Sequence, residues 1–179
     1  MTSESDANLV ARARRGEQSA FEALVRRHLR AAVAVGLSVL REVAEAEDVA
    51  QESLVAAWQA LDDCRDPDRF AGWLLTIVRN RARNRLAAGK VRAAHADTVL
   101  EPEAADDLER VGERQRLLAA LETLSQVQRE VVLLHDLEAW THAEIAASLG
   151  LTEVNCRQHL FVARRALRTV LGQDGANDA

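Results

Sequence analysis

The 179-residue chain has no tyrosine and carries only 3 Trp, 3 Phe, 2 Pro, 8 Gly and 2 Cys. So few breakers and aromatics argue against a sheet-rich or loop-rich domain and favour helices throughout. Cys64 and Cys156 lie far apart, with no CxxC or Cys/His ligand spacing, so neither a disulfide framework nor a zinc site is indicated. Cys156 reads as a small buried hydrophobe and Cys64 as a loop residue that could be a free thiol. No apolar run approaches the roughly 20 residues that span a bilayer. The polar start MTSESDANLV has no signal-peptide pattern. A cytoplasmic protein is expected. No nucleophile–base pair, metal spacing or phosphate loop supports an enzyme, so no catalytic residue, metal or cofactor is assigned.

What is present is hydrophobic residues at 48% and a net charge of −5. The length allows one medium domain or two small ones. An acidic average argues superficially against nucleic acid, but the charges are segregated. Arg79, Arg81, Arg83, Arg85, Lys90 and Arg92 form a basic block without an acid. Asp97, Glu101, Glu103, Asp106, Asp107, Glu109 and Glu113 form an acidic block broken by Arg110. Arginines gather again near the C-terminus, and local fields rather than the average decide binding.

The segment THAEIAASLGLTEVNCRQHLFVARRAL has the layout of a helix-turn-helix. Thr141 and Glu144 fit a capping box, Ile145, Ala146 and Leu149 give an apolar stripe, and Gly150 suits the reversal. Thr152 can cap a second helix that buries Cys156, Leu160, Ala163 and Leu167. Glu153, Asn155, Arg157, Gln158, His159 and Phe161 lie near its start, where a recognition helix meets base edges. Arg164, Arg165 and Arg168 follow and suit phosphates. An ordinary helical hairpin with a charged outer face is the alternative.

Ahead of it, DANLVARARR reads as a helix ending at Gly16, and a second helix starts near Ser19 with His28 partly buried. In AEAEDVAQESLVAAWQAL, Ala50, Leu54, Ala57, Trp58 and Leu61 form an apolar stripe. Asp48, Gln51, Glu52, Val55 and Gln59 fall opposite it, as a solvated face or a docking face for a basic helix. LDDCRDPDRF is a loop. FAGWLLTIVRNRARNRL packs through Phe70, Trp73, Leu74, Ile77, Val78, Ala82 and Leu86. It exposes Arg79, Asn80, Arg83 and Asn84, which with the loop form a second candidate nucleic-acid site. Trp73 reads as core in preference to a stacking platform. Ser125 and Gln128 fit another capping box, opening a helix with Val131, Val132, Leu134 and Leu137 inside. The expected fold is all-α. It has two small helical domains, 1–87 and 113–172, joined by a flexible acidic linker, 88–112, with a disordered tail, 173–179.

In this order the parts resemble a bacterial RNA polymerase sigma factor of the extracytoplasmic-function type, in the sigma-70 family. AEDVAQESLVAAW is similar to the family's region 2.2, RFAGWLLTIVRNRARNRL to regions 2.3 and 2.4, and LETLSQVQREVVLLHDLEAWTHAEIAASLGLTEVNCRQHLFVARRAL to region 4. The resemblance implies a dissociable, non-catalytic subunit that binds core RNA polymerase, places it at −10 and −35 elements and promotes DNA opening. It assigns the face of Asp48, Gln51, Glu52, Val55 and Gln59 to the polymerase, whose β′ clamp helices and β flap are the implied contacts. It assigns Asp62, Asp63, Cys64, Arg65, Asp66 and Arg69 to a −10 specificity loop, and Arg79, Asn80, Arg83 and Asn84 to the opened strand. Thr152, Glu153, Asn155, Arg157, Gln158, His159, Phe161, Arg164, Arg165 and Arg168 fall to the −35 element. An anti-sigma factor is a further implied partner. His159, Phe161 and Val162 depart from the family's basic pattern, as Cys64 does from its larger apolar residue.

The rival is a stand-alone dimeric helix-turn-helix regulator of duplex DNA. It predicts palindromic half-sites about one helical turn apart, and it leaves the first domain without a purpose.

Overall fold

The computed structural model of the protein describes residues 4–93 and 108–173. Among these residues every regular element is helical. Helix α1, Asp6–Arg14, starts where the Ser5 hydroxyl accepts from the Asn8 amide at 3.3 Å. Helix α2, Gln18–Leu40, is followed by α3, Val43–Gln59, whose first amides donate to the Glu42 carboxylate. Helix α2 packs tightly on α3 at Gly36, where an added Cβ would lie 3.0 Å from the Ala46 carbonyl oxygen. A side chain there would force the Ala46 backbone to shift, so the crossing favours glycine. Two short 3-10 turns, Leu61–Asp63 and Pro67–Arg69, lead into α4, Phe70–Ala93.

The second unit holds α5 (Leu108–Glu122), α6 (Gln126–Val132), a π turn (Leu133–Leu137), α7 (His142–Leu149) and α8 (Glu153–Gln173). Both expected capping boxes form. The Gln128 amide donates to the Ser125 hydroxyl at 3.3 Å, and the Glu144 amide to the Thr141 hydroxyl at 3.2 Å. The Gln128 and Glu144 side chains reach back to the cap amides at 3.0 and 2.8 Å. Gly150 takes φ 67°, the left-handed conformation that ends α7.

Two dry clusters hold the fold. One lies inside the first unit and gathers Leu9, Val10, Phe21, Leu24, Leu54, Phe70 and Leu74. The other joins the units: Val35, Val39, Leu75 and Val78 pack with Val131, Leu134, Ile145 and Leu160. Helix α4 lies against α7, and α2 against α6. The units are thus in direct contact, not merely linked in sequence.

Two boundaries and one burial differ from expectation. Helix α4 continues to Ala93 and α5 begins at Leu108, so both ends of the expected linker 88–112 are helical. One interior glycine costs a helix about 1 kcal/mol, too little for Gly89 to stop a 24-residue one. The rest of that linker, with most of its acidic block, lies outside the described residues, as does the expected tail beyond Gln173. Leu137, expected inside, is 56% exposed. The π turn inserts extra backbone, and the Trp140 amide closes it on the Leu134 carbonyl at 3.0 Å.

Candidate nucleic-acid and protein interfaces

On α3, Asp48, Gln51, Glu52, Val55 and Gln59 are all exposed, as one continuous strip. The helix buries Val49, Ala50, Leu54 and Ala57, which turns that strip outward. Val55 is 57% exposed, an apolar spot among polar neighbours. Trp58 borders it, its ring tilted at 58° against Phe21 with centroids 4.7 Å apart. The acids are not isolated. Arg85 of α4 reaches Glu52 at 2.5 Å, Glu45 at 3.3 Å and Asp48 at 3.9 Å, and Arg81 reaches Glu52 at 3.8 Å.

The loop between α3 and α4 is built on three inward anchors. Leu61, Cys64 and Phe70 are buried, whereas Asp62, Asp63, Arg65, Asp66, Asp68 and Arg69 are exposed. Cys64 was expected at the DNA and instead faces the core at 1% exposure, its thiol 3.6 Å from the Asp66 carbonyl. A small apolar thiol fills this site where a longer polar chain would be left unsatisfied. Burial also pushes its pKa up, against the Arg14 charge.

Helix α4 splits the expected strand-binding residues. Asn80, Arg83 and Asn84 are exposed. Arg79 is buried between the units. Its Nε donates to Glu130 Oε1 at 2.7 Å and its Nη2 to Ser148 Oγ at 2.6 Å. Those side chains of Arg79 and Glu130 keep 8% and 1% of their exposure. Periodicity placed Arg79 on an outward face, and that face is the one α6 and α7 cover. Arg129 makes the second polar tie. Buried at 2%, it donates to the Leu121 and Leu124 carbonyls at 2.8 and 2.9 Å and, across the seam, to the Ser38 carbonyl. Sequence periodicity treated neither Arg129 nor Glu130 as core. The only local hint was that both sit inside an apolar run, beside Val131 and Val132.

The seam opens at one end into a cleft of about 960 Å³. Asp63, Arg65, Asp66, Arg69, Trp73 and Thr76 line it from the first unit, and Trp140, Glu144 and Ser148 from the second. Trp73 is half-buried beside Phe70, with centroids 5.9 Å apart.

The helix-turn-helix forms as expected from the sequence. Thr152 caps α8 by accepting from the Asn155 amide at 3.2 Å. Glu153, Asn155, Arg157, Gln158, Phe161, Arg165 and Arg168 are exposed, and His159 is half-buried. Arg157 pairs with Glu153 one turn earlier at 2.9 Å. Phe161 at 62% and Val154 at 68% are exposed apolar residues on this helix. Such groups suit thymine methyls in a major groove. Arg164 is held by Asp136 of the π turn at 3.1 and 2.5 Å. Among the described residues no group of three or more His, Cys, Asp or Glu is placed to hold a metal. Nor is any described helix long and apolar enough to cross a membrane.

Comparisons with known proteins agree with this arrangement. The family model "Sigma-70 region 2" matches residues 24–91, and "Sigma-70, region 4" matches 114–167. The chain is 32% identical over 167 residues to a probable RNA polymerase sigma factor, RfaY, of Xanthomonas campestris, covering 88% of this chain and 42% of RfaY. It therefore spans less than half of that relative's length. It is 30% identical over 171 residues to the ECF RNA polymerase sigma factor SigL of Mycobacterium tuberculosis, covering 93% of this chain and 97% of SigL. The solved structure of CnrH in complex with the cytosolic domain of CnrY superposes with a TM-score of 0.70 at 32% identity, over 96% of this chain and 99% of that one. The two matched regions, in the order and helical setting described, place this chain in the sigma-70 family of RNA polymerase sigma factors, among those of the extracytoplasmic-function type.

Proposed function

We propose that this sigma subunit divides its work along the faces described above. The strip of Asp48, Gln51, Glu52, Val55 and Gln59 docks core polymerase. The loop Asp62–Arg69 and the α4 residues Asn80, Arg83 and Asn84 engage the −10 element. Helix α8 engages the −35 element through Asn155, Arg157, Gln158 and Phe161, with Arg165 and Arg168 on phosphates. The subunit recruits and positions, and is not itself an enzyme. Its place of work is the cytoplasm, where polymerase and promoter DNA are found. The observation that carries the reading is the pairing, in one chain, of an outward acidic strip with a helix-turn-helix. A stand-alone regulator needs the second and not the first.

Arg79 belongs to the same −10 face but is covered. The two promoter elements lie about 25 base pairs apart, roughly 85 Å along B-DNA at about 3.4 Å per pair. Units that touch through a shared core do not reach both elements at once. The packed form is therefore the DNA-free form, and the units separate when the promoter is bound. Glu130 occupies Arg79 in the meantime, as a carboxylate where a phosphate would later bind. An anti-sigma factor that favours the packed form fits this picture, and the similar CnrH has been seen bound to the cytosolic domain of CnrY.

Run-off transcription tests the proposal. Core polymerase is given a template library with and without the protein. Promoter-dependent transcripts in its presence alone are expected. Tight binding of the isolated protein to palindromic duplex, with core transcription unchanged, would instead favour the regulator.

A further inference from the structure

Arg14 ends α1, some fifty residues before the loop it touches. Its Nη2 donates to the Leu61 carbonyl at 3.0 Å and to the Cys64 carbonyl at 2.5 Å. Its Nε adds a longer contact to Leu61 O at 3.3 Å and lies 3.7 Å from the Asp62 carboxylate. The Cys64 amide also donates to the Leu61 carbonyl, at 3.2 Å. The guanidinium thus brackets one short turn at both ends, from a neighbouring helix. Asp62 and Asp63 stand outward between the bracketed carbonyls, and Arg65 follows directly.

We propose that Arg14 is a positioning residue for the specificity loop. It fixes the backbone of Leu61–Cys64 so that Asp63 and Arg65 are presented to DNA in one orientation. The inference rests on the reading of this loop as the −10 reader. Three features carry it. The contact is to backbone, so it sets the path of the loop whatever base is read. The geometry is a planar fork: Nη2 serves both carbonyls while Nε, fixed in the same plane, reaches Leu61 O and the Asp62 side, and a single ammonium nitrogen does not hold both sets of directions at once. The inward side of the turn is already anchored by Leu61 and Cys64, so Arg14 closes the remaining freedom. A loop ordered before binding does not need ordering during it, and its selectivity depends on holding that geometry.

The test uses the full chain with core polymerase and linear templates randomised at the −10 element. Three readouts are taken: core binding by anisotropy, opening by permanganate reactivity of unpaired thymines, and the −10 preference profile. Arg14→Ala is expected to leave core binding nearly unchanged, to reduce opening on the order of tenfold and to flatten the profile. Arg14→Lys keeps the charge and loses the fork, so it should restore thermal stability but not the profile. A folded Arg14→Ala protein with the wild-type profile overturns the proposal, as does full rescue by lysine. Asp63→Ala with Arg65→Ala serves as the control on the loop itself. If that variant also keeps the wild-type profile, the loop is not the reader and both readings fall. If it flattens the profile while Arg14→Ala does not, only the role of Arg14 falls.

Discussion

Glu130 Oε1 lies 2.7 Å from Arg79 Nε across the seam between the two units, and almost nothing of either side chain reaches solvent. A buried pair of this kind contributes little net stability relative to apolar residues of the same size. What it does is make one arrangement of the units electrically complete. Removing one partner has a far larger effect than the pair's net worth.

Glu130→Ala is accordingly expected to weaken the packed form by about 3–5 kcal/mol, because the buried Arg79 Nε loses the acceptor that Glu130 supplies in either protonation state. The relief available is separation of the units, which returns Arg79 to water. A donor–acceptor pair of dyes on α3 and α8 should report a longer mean distance, and the free protein should bind −10 single strand more tightly. Arg79→Met with Glu130→Leu should do the reverse, holding the units together.

The same contact sets a pH dependence. Burial pushes the Glu130 carboxyl up from its ordinary 4.5, although the charge and hydrogen bond of Arg79 pull it down. In the separated form Glu130 is solvated and titrates near that ordinary value. Between the two values the packed form binds more protons. Its share of stability is therefore fully present below 4.5 and is lost as pH rises through the raised value. Lowering pH through this window should shorten the dye distance, and Glu130→Gln should abolish that part of the pH response.

Charge reversal at the acidic strip separates docking from folding. Asp48→Arg with Glu52→Arg places two cations beside Arg85 and Arg81, where ion pairs now stand. These groups are exposed, so the loss in fold stability should stay near 1 kcal/mol. Core binding should fall at least tenfold, about 1.4 kcal/mol, with the helical circular dichroism unchanged. An unaltered core affinity would remove this face from the assignment.

Asp136 engages Arg164 of α8 at 3.1 and 2.5 Å. The Arg164 hydrogen bond keeps the Asp136 carboxyl below its ordinary 3.8, outweighing its desolvation. Asp136→Asn should lower stability by about 0.5 kcal/mol, as expected for a half-exposed pair, and free a cation on the recognition helix. Duplex affinity should then rise, and the slope of log K against log salt should steepen by about one unit. Acid should release the same bond in the unsubstituted protein, its contribution being present above 3.8 and lost as pH falls through the depressed value.

Gly36→Ala tests the helix crossing. The new methyl would meet the backbone of Ala46 at 3.0 to 3.2 Å, and a backbone atom yields less readily than a flexible side chain. Overpacking of this order costs about 1–3 kcal/mol. Calorimetry should show a lower Tm, with the seam contacts of α2 weakened along with its contact to α3.

Local chemistry was readable from the sequence wherever the partner lies within a turn or two. Ser125 with Gln128, Thr141 with Glu144, and Gly150 each signal a cap or a stop on their own, and all three form. The strip from Asp48 to Gln59 follows from helical spacing alone. What spacing does not convey is which outward face another unit will cover. Arg79 and Asn80 are adjacent on α4, yet one is buried and the other exposed, because α6 and α7 arrive against only one side. Glu130 is 51 residues from its partner. The loop misled in a similar way. Leu61 and Phe70 read as inward from their helical stripes, but between them DDCRDPDR is polar enough to suggest an outward Cys64, and the turn uses that residue as a further inward anchor. The π turn at Leu133–Leu137 left no periodic signature, and it is what carried Leu137 out to the surface.

Arg129 has three carbonyl acceptors, and they are unequally distributed. Leu121 and Leu124 belong to its own unit, and Ser38 to the other. Were the units to part as proposed, the guanidinium would surrender one bond and retain two. The bracket that ties α6 to the end of α5 lies wholly within the second unit and does not depend on the first. The second unit thus carries its own clasp, and only one of the three bonds would have to be broken and remade at the seam.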